Sequence, residues 1–149
     1  MSIHISKILL LASIGLFLWA LTQDGYYIEG SNPRAWAPAW VLLLLGWVGL
    51  FHGVFAWFAN PLLALGWAFS FSGKYREGSW ISGAAILFIL SFLLHSTVIS
   101  SEAPTYSKIT GYGLGYWVWI ASATALFLSN ILALTLLNRD CAKARSPLL

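Results

Sequence analysis

Apolar residues fill four long stretches of the chain, and polar residues gather between them. The stretches cover residues 3–22, 35–58, 80–100 and 113–137. A helix needs about 20 mainly apolar residues to cross a hydrocarbon core of about 30 Å, because each residue advances it by about 1.5 Å. The pattern therefore predicts an all-α integral membrane protein, with four transmembrane helices in one bundle and a single membrane domain over 1–149.

Asn60-Pro61 interrupts the apolar sequence between the second and third predicted spans. Proline lacks the backbone N–H and clashes with the preceding turn, so it ends or kinks a helix. It also suits the first position of a new helix. We expect a short interfacial helix over 61–71, and a single kinked second span that protrudes from the bilayer is the alternative. Short loops over 24–34 and 101–112 join the spans on the other side.

The composition supports a membrane location. Hydrophobic residues make up 59% of the chain and charged residues 9%, and the mean hydropathy is +0.77. An ordinary soluble domain has about 25% charged residues. These values exclude a soluble globular domain, a disordered chain and a basic nucleic-acid binder. The net charge of +3 arises from few charges, so it predicts no nucleic-acid partner, and the lipid bilayer is the first partner we expect.

The cationic residues are distributed unequally between the two sides of the predicted bundle. The N-terminus, the 73–79 loop and the C-terminal tail form one side, which carries Lys7, Lys74, Arg76, Arg139, Lys143 and Arg145. The opposite side carries only Arg34 and Lys108. Because short cytoplasmic loops are enriched in Lys and Arg, this asymmetry predicts that both termini are cytoplasmic.

Small residues form a stripe on the second span and another on the fourth. The predicted helix-packing residues are Gly46, Gly49, Gly53, Gly111, Gly115, Ser122 and Ser129. Small side chains let helix backbones approach closely in lipid, and Gly49 and Gly53 form a GxxxG pair. We expect these stripes to pack within the bundle, and a dimer contact is the alternative.

His52, His95 and Ser91 are the candidate functional polar residues, because ionisable groups inside membrane spans usually serve a function. Ser91 and His95 lie one helical turn apart, which is a suitable spacing for a shared hydrogen bond. A structural or interfacial role is the alternative for each histidine. On separate continuous helices, His52 and His95 differ in depth by roughly 13 Å, so we expect no shared metal or haem iron.

Aromatic residues are dense near the predicted outer surface. The candidate partner surface comprises Tyr26, Tyr27, Trp36, Trp40, Tyr112, Tyr116 and Trp117. Trp and Tyr favour membrane interfaces because one end of each ring is polar, so anchoring in the bilayer is the simpler interpretation. The density of the group also makes it a hypothesis for contact with a protein partner.

Residues that membrane enzymes and carriers need are missing from the predicted spans. No Asp or Glu lies in a span, which disfavours a proton-coupled carrier. Cys141 is the only cysteine, so no cysteine pair is available for disulfide chemistry. No histidine pair at matched depth suits a haem, and no nucleophile has an arranged base. We therefore predict no catalytic residue, no cofactor, no metal site and no enzymatic activity.

Three segments resemble uncharacterised small multi-pass bacterial membrane proteins. They are Ala59-Asn60-Pro61-Leu62 with Leu65 and Trp67, Gly73-Lys74-Tyr75-Arg76, and Gly113-Leu114-Gly115-Tyr116-Trp117-Val118-Trp119. The resemblance covers roughly residues 38–130. It implies a multi-pass bacterial membrane protein and supplies no activity and no catalytic residue.

The leading functional expectation is a non-enzymatic inner-membrane protein that acts by association. It would serve as an accessory or assembly subunit of a membrane protein complex, with a membrane protein or a second copy of itself as partner. One alternative is an immunity or inhibitor protein against a membrane-active toxin. Another is a small oligomeric channel or transporter, which a polar stripe along a common pore would favour.

Overall fold

The computed structural model describes residues 2–29, 38–99 and 105–145, and it is mostly helical. The α-helices are α1 (Ser2–Leu21), α2 (Ala39–Leu45), α3 (Ala59–Phe71), α4 (Tyr75–Ser91) and α5 (Leu114–Arg145). Shorter 3₁₀-helices cover Gly46–His52, Ala56–Phe58 and Phe92–Leu94. The strands are β1 (Tyr26–Ile28), β2 (Thr97–Ile99) and β3 (Tyr106–Tyr112).

Three helical stretches are long and apolar enough to cross a membrane. They cover His4–Leu21, Tyr75–Leu94 and Leu114–Ala142, which correspond to the first, third and fourth predicted spans. The second predicted span is not one continuous helix, because the helical stretch Ala39–His52 ends before Gly53. The molecule is thus compatible with an integral membrane protein that has three continuous membrane-length helices in the described residues.

The two loops predicted on one side of the bundle contribute strands β1 and β3 to a small sheet, and β2 comes from residues 97–99, which were predicted as the end of the third span. Its strands are antiparallel in the order β1-β3-β2, with Tyr26 opposite Tyr112 and Thr97 opposite Lys108. The expectation of an all-α fold therefore misses this element. Strand pairing satisfies the backbone groups of residues that are rich in Tyr, Ile, Val and Thr, which favour extended structure. We call this part of the molecule the sheet end.

Helices α1 and α5 run antiparallel and are joined by serine side chains. The Ser129 hydroxyl donates to the Ser6 carbonyl oxygen at 2.7 Å, and the Ser6 hydroxyl donates to the Ser129 carbonyl oxygen at 3.0 Å. Nearer the sheet end, the Ser122 hydroxyl donates to the Ser13 carbonyl oxygen at 2.8 Å. Serines allow close approach and also hydrogen-bond across the interface, which suits helix association in lipid.

The opposite end of the bundle, which we call the far end, joins α3, α4 and α5. The Ser70 hydroxyl on α3 donates to Asn130 Oδ1 on α5 at 2.8 Å. Gly78 on α4 lies against the same amide, and a Cβ built on it would be 2.9 Å from Asn130 Nδ2. Because Asn130 is fully buried, its amide ties three helices together at this end.

Candidate functional site

The polypeptide turns back on itself after the helical stretch Ala39–His52. Gly53 adopts the left-handed conformation, with φ of 80°. Its N–H donates to the Leu50 carbonyl oxygen at 3.2 Å, and the Val54 N–H donates to the Gly49 carbonyl oxygen at 2.9 Å. These two nested hydrogen bonds with a left-handed residue form a Schellman motif, which ends a helix. Glycine suits the left-handed position because it has no Cβ to clash with the backbone. The break therefore lies at Gly53, upstream of Asn60-Pro61.

The returning segment packs on the preceding helical stretch, which explains the small residues there. A Cβ on Gly46 would be 2.8 Å from Trp57 Cδ1, and one on Gly49 would be 3.2 Å from Val54 Cβ. The Trp57 indole N–H also donates to the Leu43 carbonyl oxygen at 2.8 Å. Gly46 and Gly49 thus face the returning chain rather than a membrane-length helix.

Gly53 does not take the packing role that the GxxxG spacing suggested. Nothing lies within 4 Å of a Cβ built on it, and the residue is exposed. Glycine stands at position 53 for a different reason, because the backbone there adopts the positive φ that ends the helix.

Helix α3 begins at Ala59 and carries Asn60 and Pro61 in its first turn. The first N–H groups of a helix have no partner within the helix, so proline is tolerated there. The sequence Asn60-Pro61 therefore accompanies the start of a new helix that continues to Phe71.

Residues 39–58, which comprise the helical stretch Ala39–His52 and the chain that returns after Gly53, are called the broken segment below. A cavity of about 470 Å³ lies between the broken segment and the sheet end. The segment supplies one wall, and the end of α1, the turn that follows α4, residues of all three strands and the start of α5 supply the others. The 26 described residues that line it include no Asp, Glu, Lys or Arg, whereas seven are Phe, Tyr or Trp. Cavities of this size with apolar walls and a few polar groups are typical small-molecule sites.

Both candidate histidines line this cavity. The His52 Nδ1 lies 3.1 Å from the Tyr106 hydroxyl, and both side chains are exposed. His95 follows the Phe92–Leu94 turn on extended backbone, with φ of −92° and ψ of 127°. The depth difference expected for separate continuous helices therefore does not keep the two histidines apart, because neither belongs to a helix that continues through its position.

Ser91 and His95 do not form the hydrogen bond that their spacing suggested. The helix ends between them, and the Ser91 hydroxyl donates to the Phe88 carbonyl oxygen at 2.7 Å. Among the described residues, no group of three or more His, Cys, Asp or Glu side chains is placed to hold a metal ion.

Further polar groups line the cavity, and three of them bear on what it can bind. The Asn60 amide has no hydrogen-bond partner within the part of the chain that the structure describes. The indole Nε1 of Trp119 is buried and also unpartnered within those ranges. Burial raises the pKa of the Tyr26 phenol, so this group stays neutral well above physiological pH. Asn60, Trp119 and Tyr26 therefore add uncharged polar groups to the described part of the cavity wall.

The predicted aromatic partner surface is divided by the structure. Tyr116 is only 3% exposed, and its hydroxyl donates to the Ile89 carbonyl oxygen at 2.9 Å, so it belongs to the core. Tyr112 stacks on it at 4.9 Å between ring centroids. Trp40 and Trp117 are each 51% exposed and remain available at the surface.

The remaining members of that set have other positions. Tyr26 is half-buried, lines the cavity and packs on Phe92, with 5.3 Å between ring centroids. Tyr27 is half-buried in β1 opposite Gly111. Trp36 lies outside the described residues.

The small residues of the fourth predicted span have three different environments. Gly111 belongs to strand β3 and not to a helix, with Tyr27 Cδ2 3.7 Å from a Cβ built on it. Gly115 lies at the start of α5, where such a Cβ would be 2.8 Å from the Asp24 carbonyl oxygen. Ser122 and Ser129 lie on the α1–α5 interface, as described above.

Sequence reasoning missed Ser6, Ser13 and Asn130. The two serines of α1 are seven residues apart, and so are Ser122 and Ser129 on α5. Two helices with polar residues at the same seven-residue interval carry a signal for antiparallel pairing that was available from the sequence. Asn130 is the one Asn or Gln within 114–137, so its isolation in an apolar helix was a second signal.

The outer face of the broken segment is open. Eleven of the fourteen residues in Ala39–His52 are hydrophobic, yet none of the fourteen is buried. Phe51 is 77% exposed, and Trp40 and Trp47 are about half exposed. The segment thus presents one side to the cavity and the other side outward.

No protein-family model, curated protein or solved structure matches the chain. The function is therefore inferred from the geometry of the broken segment and its cavity.

Proposed function

We propose that this is a non-enzymatic, multi-pass protein of the bacterial inner membrane that acts by association. In this proposal it is an accessory or assembly subunit of a membrane protein complex, and the outer face of Ala39–Phe58 is its docking surface. The observation that carries the proposal is the absence of any buried residue in the apolar helical stretch Ala39–His52.

The backbone of the break favours a protein partner over lipid as the cover for this face. Lipid offers no hydrogen bonds to non-helical backbone, which is tolerated at membrane depth only inside protein or beside water. His52 and Gly53 are exposed at the turn. Aromatic side chains such as Trp47 and Phe51 are also enriched in the centres of protein interfaces. A partner that covers the turn would bury both features.

The proposal includes four membrane crossings, of which the second is split into two half-helices. Two contacts support it. The Ala39 N–H donates to the Gln23 carbonyl oxygen at 2.8 Å, so α2 starts at the sheet end beside the end of α1. Ser70 bonds Asn130, so α3 finishes at the far end. The Lys and Arg asymmetry supports a cytoplasmic far end, with both termini there.

The docking surface is tested by co-purification in mild detergent from native membranes. We expect Phe51→Ala and Trp47→Ala each to reduce the recovered partner at least tenfold, since truncation of a central aromatic in an interface costs about 2 kcal/mol or more. Trp80→Ala is the matched control, because Trp80 is 76% exposed on membrane-length helix α4. Full recovery with both test variants, or equal loss with the control, would contradict the proposal.

A small transporter is the second candidate, and one observation favours it. Broken membrane helices in transporters line the substrate site near the middle of the bilayer. Here His52 and Val54, which flank the break at Gly53, line the cavity together with Asn60 in the first turn of α3. Reconstitution in liposomes separates the two candidates, because a transporter moves solute across the bilayer without a protein partner.

A further inference from the structure

The described part of the cavity wall disfavours a charged occupant. Among the residues that the structure describes, no Asp, Glu, Lys or Arg lines the cavity, so a charged ligand would lose its hydration there without gaining an ion pair. The mouth carries the exposed pair His52 and Tyr106, while the wall is otherwise largely apolar. These features favour an uncharged ligand.

The walls also favour a flat ring over a flexible chain. Seven of the 26 lining residues are aromatic, whereas Phe, Trp and Tyr make up 16% of the whole sequence. Phe17, Trp57 and Phe92 come from three different elements and contribute ring surfaces to the same cavity. Aromatic side chains pack with other rings in offset or edge-to-face geometry, which gains energy beyond the buried area alone.

Asn60 supplies a polar group without a partner in the described ranges. Its amide lies in the first turn of α3, among apolar residues, and it offers both an N–H donor and a carbonyl acceptor. Asn60 is half-buried and faces the cavity, so an occupant that accepts a hydrogen bond from its amide is favoured over one that cannot. The complementary group on an uncharged ring is a carbonyl oxygen.

We infer that the cavity binds an uncharged, lipid-soluble ring compound that carries carbonyl groups, that is, a ligand of the quinone type. Asn60 donates a hydrogen bond to a ring carbonyl, and the aromatic wall packs on the ring. This site lies on the inner side of the broken segment and shares only His52, at its mouth, with the turn that the docking partner would cover, so it goes beyond the proposed association.

Indole NMR tests the inference without any protein partner. The protein is reconstituted in lipid nanodiscs with ¹⁵N-labelled tryptophan, and the indole signals are assigned with single Trp→Phe variants. Decylubiquinone is the probe. We expect saturable shifts of the Trp57 and Trp119 signals, because both residues line the cavity. Trp67 and Trp80 do not line it, so their signals should stay in place.

Substitutions of Asn60 test the polar contact. Asn60→Leu should weaken decylubiquinone binding about tenfold, because the amide that donates to the carbonyl is removed. Asn60→Ser retains a hydroxyl donor and should bind within about threefold of the original protein. Asn138→Leu on exposed α5 is the control and should leave binding unchanged. An unshifted Trp67 signal, whose indole bonds Ser13, shows that each variant is folded.

Three results would overturn the inference. The first is an absence of shifts at Trp57 and Trp119. The second is an equal shift at Trp80, which would indicate partition into the surrounding lipid. The third is equally strong binding of dioctanoylglycerol, an uncharged lipid with ester carbonyls and no ring. None of these results depends on the pull-down, so failure here leaves the proposed association to be judged separately.

Discussion

At the residue scale, the glycines of this chain have different roles that their neighbours reveal. Gly53 stands in open space with a positive φ, whereas Gly66 is buried where a Cβ would be 2.8 Å from Leu126 Cδ2. Gly53 is required for its backbone conformation, whereas Gly66 is required because a larger side chain has no room. Substitution of each glycine by a small and by a large residue distinguishes these two requirements.

We predict that Gly53→Ala and Gly53→Leu destabilise the protein to the same extent, by about 1 kcal/mol. The left-handed conformation penalises any Cβ, and nothing nearby penalises a larger side chain. Thermal unfolding in detergent measures both variants. Gly66→Ala and Gly66→Leu are the control pair, in which the larger residue should be clearly worse. A much larger loss for Gly53→Leu than for Gly53→Ala would restore helix packing as the role of Gly53.

The buried serines give a second prediction at this scale. Ser122→Ala should lower the unfolding free energy by about 0.6 kcal/mol and by no more than about 1.7, the range measured for hydrogen bonds between membrane helices. The variant loses the bond to the Ser13 carbonyl oxygen while the helices remain close. Ser72→Ala is the control, because its hydroxyl is exposed and bonds only within its own helix region. Equal effects of the two variants would argue against an interhelical contribution.

At the scale of elements, helix α4 is set against α5 by two glycines with unequal room. A Cβ on Gly78 would be 2.9 Å from the Asn130 amide, while a Cβ on Gly83 would be 3.6 Å from Phe127 Cε2. The first distance is too short and the second is an ordinary contact. Alanine at Gly83 therefore tests the effect of helix propensity alone, whereas alanine at Gly78 also tests how closely α4 and α5 approach.

We predict opposite effects for alanine at these two positions of α4. Gly83→Ala should stabilise the protein by about 0.5–1 kcal/mol, because alanine is the better helix former and has room. Gly78→Ala should destabilise it, because the new methyl group displaces Asn130 and weakens its bond to Ser70. Thermal unfolding of the two variants checks the signs. Stabilisation by both would mean that α4 and α5 are not in close contact at the far end.

At the scale of the whole molecule, the broken segment decides how many times the chain crosses the membrane. If α2 and α3 together complete one crossing, then Ser72, between α3 and α4, and Cys141, in the last turns of α5, lie on the same side. Thr110 in β3 then lies on the opposite side. If α2 and α3 together do not complete a crossing, Ser72 lies on the same side of the membrane as Thr110.

We predict that an impermeant thiol reagent added to intact cells labels Thr110→Cys in a Cys141→Ser background. Under the same conditions, Ser72→Cys and native Cys141 should be labelled only after the cells are opened. All three positions are exposed in the structure, so burial within the protein does not prevent labelling. Labelling of Ser72→Cys together with Thr110→Cys in intact cells would contradict four crossings.

Much of the fold could be predicted because the relevant signal is local. Hydropathy sums the transfer energies of neighbouring residues, so the apolar runs that became α1, α4 and α5 were visible without any tertiary contact. The start of α3 was also visible, because the missing N–H of Pro61 has the same consequence wherever the residue occurs. The candidate site was only partly predictable: His52 and His95 were named, but not as neighbours of one cavity.

The sequence by itself predicted a membrane location, because too few charged residues exist to cover a water-exposed surface, and the three helices that are long and apolar enough to cross a membrane are consistent with it. The tertiary structure alone decided where the apolar run 35–58 is divided, which tyrosine is buried and which loops form a sheet. Each of these outcomes depends on contacts between residues that are separated in the chain. Examples are the hydrogen bonds from the Trp57 indole to the Leu43 carbonyl oxygen and from the Tyr116 hydroxyl to the Ile89 carbonyl oxygen. Pairings of this kind compete with equally apolar alternatives, and only the packed molecule selects among them.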